Sequence, residues 1–147
     1  MSNTSAITFQ VLYGAHANGP ICYLLEVDET RILLDCGWDD SFDTSLLEPL
    51  RRVAGRIDAV LLSHADLAHM GALPYALAKL GLSAPVFGTL PVFKMSQMVL
   101  YDAYQTHVAA HSAERDGGPG AEDSCGFDLD DVDAAFDVAL DTGTSTT

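Results

Sequence analysis

Two histidines and a carboxylate fall within six residues of this 147-residue chain, in the order His64-x-Asp66-x-x-His69. Neutral imidazole and carboxylate oxygen are the donors that zinc or non-haem iron accepts, so His64, Asp66 and His69 could supply three ligands to one ion. The same residues have a plainer use. Asp66 can cap a following helix while the histidines make local hydrogen bonds. Spacing alone leaves both uses open. The other histidines, His16, His107 and His111, are scattered and read as surface or loop residues. His107 and His111 are spaced i and i+4, but no Glu accompanies them as it does in a zincin helix.

The position of these donors depends on the elements around them. Residues 57–62 are a nearly continuous apolar run and predict a buried central strand. A helix is predicted to start near His69 or Gly71 and to reach about Leu80, with Gly81 ending it. The donors therefore sit on a strand-to-helix loop fixed at both ends by rigid elements. Upstream, β-forming residues at 6–12, 21–27 and 31–35 predict three strands, the last two joined as a hairpin through Asp28-Glu29-Thr30. Residues 44–54 predict a short helix capped by Thr44, and 85–88 a brief strand. A helix led by Thr89 and Pro91 is predicted to run to about Ala110. The stretch 112–126 is polar and Gly-rich and predicts a mobile loop. Residues 128–140 return to helix, with Leu129, Val132, Ala135 and Phe136 on one face. The last seven residues have little apolar content and predict disorder. Strands followed by alternating strands and helices indicate a layered α+β domain.

Composition narrows the function classes. Twenty-one acids against seven bases give a net charge of −14, which opposes direct contact with nucleic-acid phosphates. Arg51, Arg52 and Arg56 form the one small basic cluster and read as a solvated helix face. Three cysteines, Cys22, Cys36 and Cys125, provide neither a disulfide framework nor a Cys-x-x-Cys clip. No membrane span or secretory signal is indicated.

The strand–loop–helix segment 61–75 resembles the signature loop of the metallo-β-lactamase fold, which carries His-x-His-x-Asp-His between a buried strand and a helix. In that family the first two histidines hold one zinc. The Asp and last His hold a second, and the Asp also orients the attacking water. Such a pair of metals stabilises an in-line displacement at phosphorus. Laid on this sequence, with the register set by His64, His69 and Gly71-Ala72-Leu73-Pro74, His64 takes the first histidine position and Asp66 the second. Ala68 stands where the Asp belongs, and His69 matches the last histidine. Asp35, in Leu-Leu-Asp-Cys-Gly, matches the family's upstream aspartate, which braces the loop. The resemblance implies a partial metallo-β-lactamase fold, the N-terminal half of an αββα sandwich. It divides the chain into 1–111 and 127–140 of that domain, with 112–126 an acidic Gly-rich loop and 141–147 a tail.

The resemblance is closer than fold level. Segments 22–28 (Cys-Tyr-Leu-Leu-Glu-Val-Asp), 33–39, 57–64, 71–76, 89–95 and 130–136 are similar to the pseudo-nuclease subunits of the pre-mRNA 3′-end cleavage and polyadenylation specificity factor. Residues 6–138 share this likeness. It implies a nuclear, non-catalytic protein that scaffolds a catalytically competent homologue, subunit 3 of that complex, and reaches pre-mRNA through the complex. No catalytic residue and no resident metal are expected, because Ala68 cannot bind or orient anything. The alternative is a zinc-dependent hydrolase or endoribonuclease with a variant site at His64, Asp66 and His69. The chain stops before the family's remaining ligands would appear, so a truncated gene model or splice product is expected.

Overall fold

A computed structural model describes residues 5–16, 19–114 and 125–141. Five strands form one sheet in the order β1 (Ile7–Tyr13), β2 (Cys22–Val27), β3 (Thr30–Leu34), β4 (Ala59–Leu61) and β5 (Val86–Phe87). The first two pairings are antiparallel and the last two parallel. A two-residue turn joins β2 to β3, and Asp28 takes it at φ 56°, a backbone state that Asp tolerates better than most side chains. The architecture is α+β, a partial metallo-β-lactamase fold, as the sequence predicts.

The helices are α1 (Glu48–Arg51), α2 (Leu67–Met70), α3 (Leu73–Lys79), α4 (Leu90–Glu114) and α5 (Leu129–Asp141). Several bounds depart from the sequence reading. The predicted helix at 44–54 is a 3-10 turn, Thr44–Leu47, then α1 and another 3-10 turn, Ala54–Arg56. Its cap is Asp43 and not Thr44, because Asp43 is extended and its carboxylate reaches the Ser45 N–H at 2.9 Å. The predicted helix at 69–80 is two helices. Ala72 donates its N–H to the Cys36 carbonyl at 3.0 Å, a long-range bond that takes the backbone out of one continuous spiral. Gly81 follows α3 at φ 77°, the conformation of a helix-ending glycine. Helix α4 continues past Ala110 to Glu114. Of the predicted loop, residues 115–124 lie outside the described residues, as do 142–147 of the predicted tail. Cys125 is buried, as are Cys22 and Cys36.

Strand register divides the sheet into two faces. The row Leu24–Leu33–Val60–Val86 is wholly buried. Val86 lines a groove with Ala134 and Ala135 of α5, which places the helices on this side. Around the sheet's end, Trp38 is inaccessible to solvent and packs on Phe42, Tyr75 and Phe127 at ring-centroid distances of 5.2, 5.3 and 6.3 Å. Its indole N–H donates to the Asp43 carbonyl at 3.0 Å, so the ring is buried without an orphaned polar atom.

The segment after β3 runs tightly against α2. The N–H groups of Ile21, Cys36 and Trp38 each donate, at 2.7 Å, to the carbonyls of Ala68, His69 and Leu67 respectively. Gly37 lies in the middle of this contact, and a Cβ there would collide with the Ala68 carbonyl. Only glycine permits this approach. Gly37→Ala is expected to lower unfolding free energy by at least about 2 kcal/mol, because backbone and not a yielding side chain blocks the new methyl. Urea unfolding measures it; an unchanged midpoint would show that this contact is not held.

Candidate functional site

The candidate site stands at the C-terminal ends of the two parallel strands β3 and β4. Asp35 follows β3, and Ser63 and His64 follow β4. Asp35 has φ 60°, a left-handed conformation that costs a non-glycine residue about 1 kcal/mol. In that conformation its carboxylate accepts two bonds from one residue, the Ser63 N–H at 2.8 Å and the Ser63 hydroxyl at 2.7 Å. Its own N–H donates to the Leu61 carbonyl at 2.9 Å. The loop after β4 is thereby tied to the end of β3.

The bonds fix the orientation of both imidazoles. A carboxylate only accepts, so the Ser63 hydroxyl proton goes to Asp35. The Ser63 oxygen then receives the His64 Nδ1–H across 2.7 Å, which leaves His64 Nε2 with its lone pair. Asp66 caps α2 by accepting from the His69 N–H at 3.1 Å, and the same oxygen accepts from His69 Nδ1 at 2.6 Å. His69 Nε2 is left as the second imidazole nitrogen outside these bonds. The two rings face each other at 4.3 Å between centroids. His64, Ser63 and Asp66 are exposed, and His69, Ala68 and Asp35 are half-buried.

The structure thus brings His64 and His69 together and turns Asp66 toward His69 and the helix end. Ala68 contributes only its carbonyl, which is spent on Ile21. Two imidazole nitrogens are fewer than the three protein ligands a zinc centre requires, and a dinuclear centre needs more. Among the described residues no group of three or more His, Cys, Asp or Glu side chains stands together to hold a metal. The donor set does not fit the family's zinc pair. Nor does the Asp35–Ser63–His64 chain make an activated nucleophile. The serine sits between the acid and the imidazole and gives its proton to the carboxylate, whereas nucleophilic catalysis needs the imidazole between them.

Ser63 is the residue that sequence reasoning passed over. It lies inside the quoted loop, but its role depends on a partner 28 positions upstream. His107 corrects another expectation. It is buried and not on the surface, set edge-on to Phe42 at 5.0 Å and stacked on His111 at 4.0 Å. Its position on the inner face of the long helix α4 carries it into the aromatic cluster. Its Nε2 has no hydrogen-bond partner. His16 is an exposed loop residue.

Beneath the loop, burial pushes the Cys22 thiol up to about 12 and the Cys36 thiol well above its ordinary value. Burial likewise raises the Tyr13 phenol, whose hydroxyl donates to the Gly37 carbonyl at 2.8 Å. All three groups are neutral at physiological pH, so this layer is inert packing and not a reactive thiol pair.

Sequence comparison places the chain among known proteins. The family description "Metallo-beta-lactamase superfamily domain" matches residues 24–141. A Drosophila melanogaster protein named probable cleavage and polyadenylation specificity factor subunit 2 is 47% identical over 134 residues, 91% of this chain. Cleavage and polyadenylation specificity factor subunit 2 of Oryza sativa subsp. japonica is 52% identical over 125 residues, 85% of this chain. The chain spans 16% and 15% of the lengths of these relatives. Among solved structures, the short form of human tRNase Z matches 67% of this chain and 40% of its own, at 19% identity and a TM-score of 0.44.

Two predictions follow from the geometry. Asp35→Ala removes both acceptors of Ser63 and is expected to cost about 1–3 kcal/mol, whereas Asp35→Asn keeps one acceptor and the tolerance for positive φ and costs less. Equal denaturation midpoints for the two variants would contradict the bracing geometry. The raised thiols make a pH prediction. A group whose folded pKa lies above its unfolded value (9.0 for a thiol here) stabilises the fold fully below that value and loses the contribution as pH rises toward the folded one, about 12 for Cys22. Urea midpoints should fall as pH rises from about 9 toward about 12, and Cys22→Ala should flatten the fall.

Proposed function

From the premise that the chain belongs to the metallo-β-lactamase superfamily, we propose that it acts as a non-catalytic component of the nuclear mRNA 3′-end cleavage and polyadenylation machinery. The observation that carries this reading is the state of the loop. Its backbone is bonded in place while its donors have been redirected: Ala68 has no ligand atom, and Asp66 serves as cap and partner to His69. A loop held by its own backbone bonds and by the Asp66 cap fits a scaffold better than a damaged enzyme.

Relatives named cleavage and polyadenylation specificity factor subunit 2, at 47–52% identity, supply the process. The natural partner in this reading is the catalytically competent homologue, subunit 3, with the other subunits of the factor. Pre-mRNA is then bound through the complex, since a chain of net charge −14 repels phosphate. The reading assigns no catalytic residue, no resident zinc and no membrane role; no helix among the described residues is long and apolar enough to cross a membrane.

A second reading rests on the Nε2 atoms of His64 and His69, whose rings lie 4.3 Å apart between centroids. Both imidazoles are oriented by an acceptor on Nδ1, the arrangement common in metal-bound histidines. With Asp66 rotated off its cap these could hold one zinc for hydrolysis. Metal analysis of the purified chain separates the two readings. The proposal expects far less than one zinc per chain, and RNA cleavage no faster than that of a His69→Ala control. Stoichiometric zinc lost on His64→Ala, together with cleavage above that control, would establish the enzyme instead.

A further inference from the structure

A groove of about 510 Å³ opens between α3, α5 and the residues that lead into β5. That volume is the size of a ligand pocket, about 300–1,000 Å³. The groove lies toward the start of β5, whereas His64 and His69 follow the opposite, C-terminal ends of the parallel strands. Ala84, Val86 and Ala135 are buried and form its floor. Ala78 on α3, Pro85 and Ala134 on α5 are exposed and form its rim. The small side chains on both helical walls leave the groove open.

The charge around this apolar groove is of one sign. Among the described residues, Asp131 is the one charged side chain that lines it. A capping box holds Asp131 in place. Its N–H donates to the Asp128 carboxylate at 2.9 Å, and one of its own carboxylate oxygens accepts from the Asp128 N–H at 3.1 Å. The other oxygen is left as an acceptor at the rim. Asp130 and Asp137 are exposed beside Ala134, four residues before it and three after, spacings that make them its neighbours on the helix surface. Helix α5 contains no Lys or Arg, and α3 contributes a single base, Lys79, at its last position.

We propose that this groove receives an amphipathic helix of a partner protein, with aliphatic side chains seated between α3 and α5 and Lys or Arg along its margin. The basic residues meet Asp131, Asp130 and Asp137, and an acidic helix is turned away by the same three charges. Aliphatic residues at i, i+3, i+4 and i+7 present the continuous stripe that a groove between two helices accepts. An added strand fits less well. Strand β5 has only two residues, and Pro85 before it has no N–H, so an incoming strand would find almost no ladder to join. The acidity that opposes nucleic acid therefore favours a basic protein segment at this groove. The inference is independent of the function proposed above.

Fluorescence anisotropy with the full chain tests it. The probe is a labelled helical peptide with Leu at i, i+3, i+4 and i+7 and Arg at the flanking positions, compared with the same peptide carrying Glu for Arg. The Arg peptide should bind saturably, and the Glu peptide at least about tenfold more weakly. Ala134→Trp fills the groove without changing charge and should weaken the Arg peptide at least about tenfold, whereas attraction to a merely acidic surface would survive it. Asp131→Asn keeps a cap acceptor, removes the charge and should weaken binding about threefold or more. If Ala134→Trp does not fold by circular dichroism, Ala78→Trp on the opposite wall gives the same reading. Phe9→Glu on the sheet should leave binding unchanged. Absence of binding, equal binding of the two peptides, or binding that ignores both Trp variants overturns the proposal. Binding lost in Phe9→Glu and kept in Ala134→Trp would move the contact to the sheet and also overturn it. Self-association of the chain that Ala134→Trp abolishes, seen by sedimentation equilibrium, would make a second copy the occupant and overturn it as well.

Discussion

The geometry of the site depends on three backbone hydrogen bonds. The carbonyls of Leu67, Ala68 and His69, one turn of helix, each accept an N–H from the segments before β2 and after β3. A helix this short, four residues, has little intrinsic stability in water. It stands because its carbonyls are bound from outside and because Asp66 satisfies its N-terminus. The bonds are short, and Gly37 is what lets the two backbones meet. This contact fixes where His69 projects. Asp35, through Ser63, fixes where His64 projects from the other side.

That arrangement separates two jobs which a metal centre combines. In a metal-bound loop the ion itself draws the ligands together and contributes directly to folding energy. Here backbone bonds, a cap and a carboxylate–serine pair hold the loop, and none of them requires an ion. The substitutions are consistent with one another in this light. Asp66 is a poor replacement for a histidine ligand but a strong helix cap, and Ala68 leaves the close carbonyl approach uncrowded. Both positions have a use in holding the shape: Asp66 caps α2, and the Ala68 carbonyl accepts from Ile21.

The sequence made some of this legible and hid the rest for identifiable reasons. Strands announce themselves by local pattern, so β1 to β5 were readable within a residue or two. The cap by Asp66 is also local, three residues from its donor, the His69 N–H. What could not be read is whatever joins distant positions. The split of α2 from α3 follows from a bond between Ala72 and Cys36, and the role of Ser63 follows from Asp35. His107 looked like a surface residue because its neighbours in sequence are polar or small. Its burial follows from Phe42, 65 positions away. The donors at 64, 66 and 69 were visible as residue types, but whether they converge depends on which atoms are already engaged.

The first strand makes the same point about the sheet. Ile7, Phe9 and Val11 alternate with Thr8 and Gln10, the pattern that usually turns its apolar side toward the covered face. Here the apolar residues point to the uncovered face, while the helix-side row is buried only from β2 onward. A slip of one residue in the β1–β2 pairing would exchange the two sets. The observed register is instead continuous with Leu25, Ile32 and Ala59, so four strands agree on where the apolar surface lies. Agreement across strands brought together from distant parts of the chain is hard to obtain from a surface that faces water. It is the pattern of an inner layer in a layered fold.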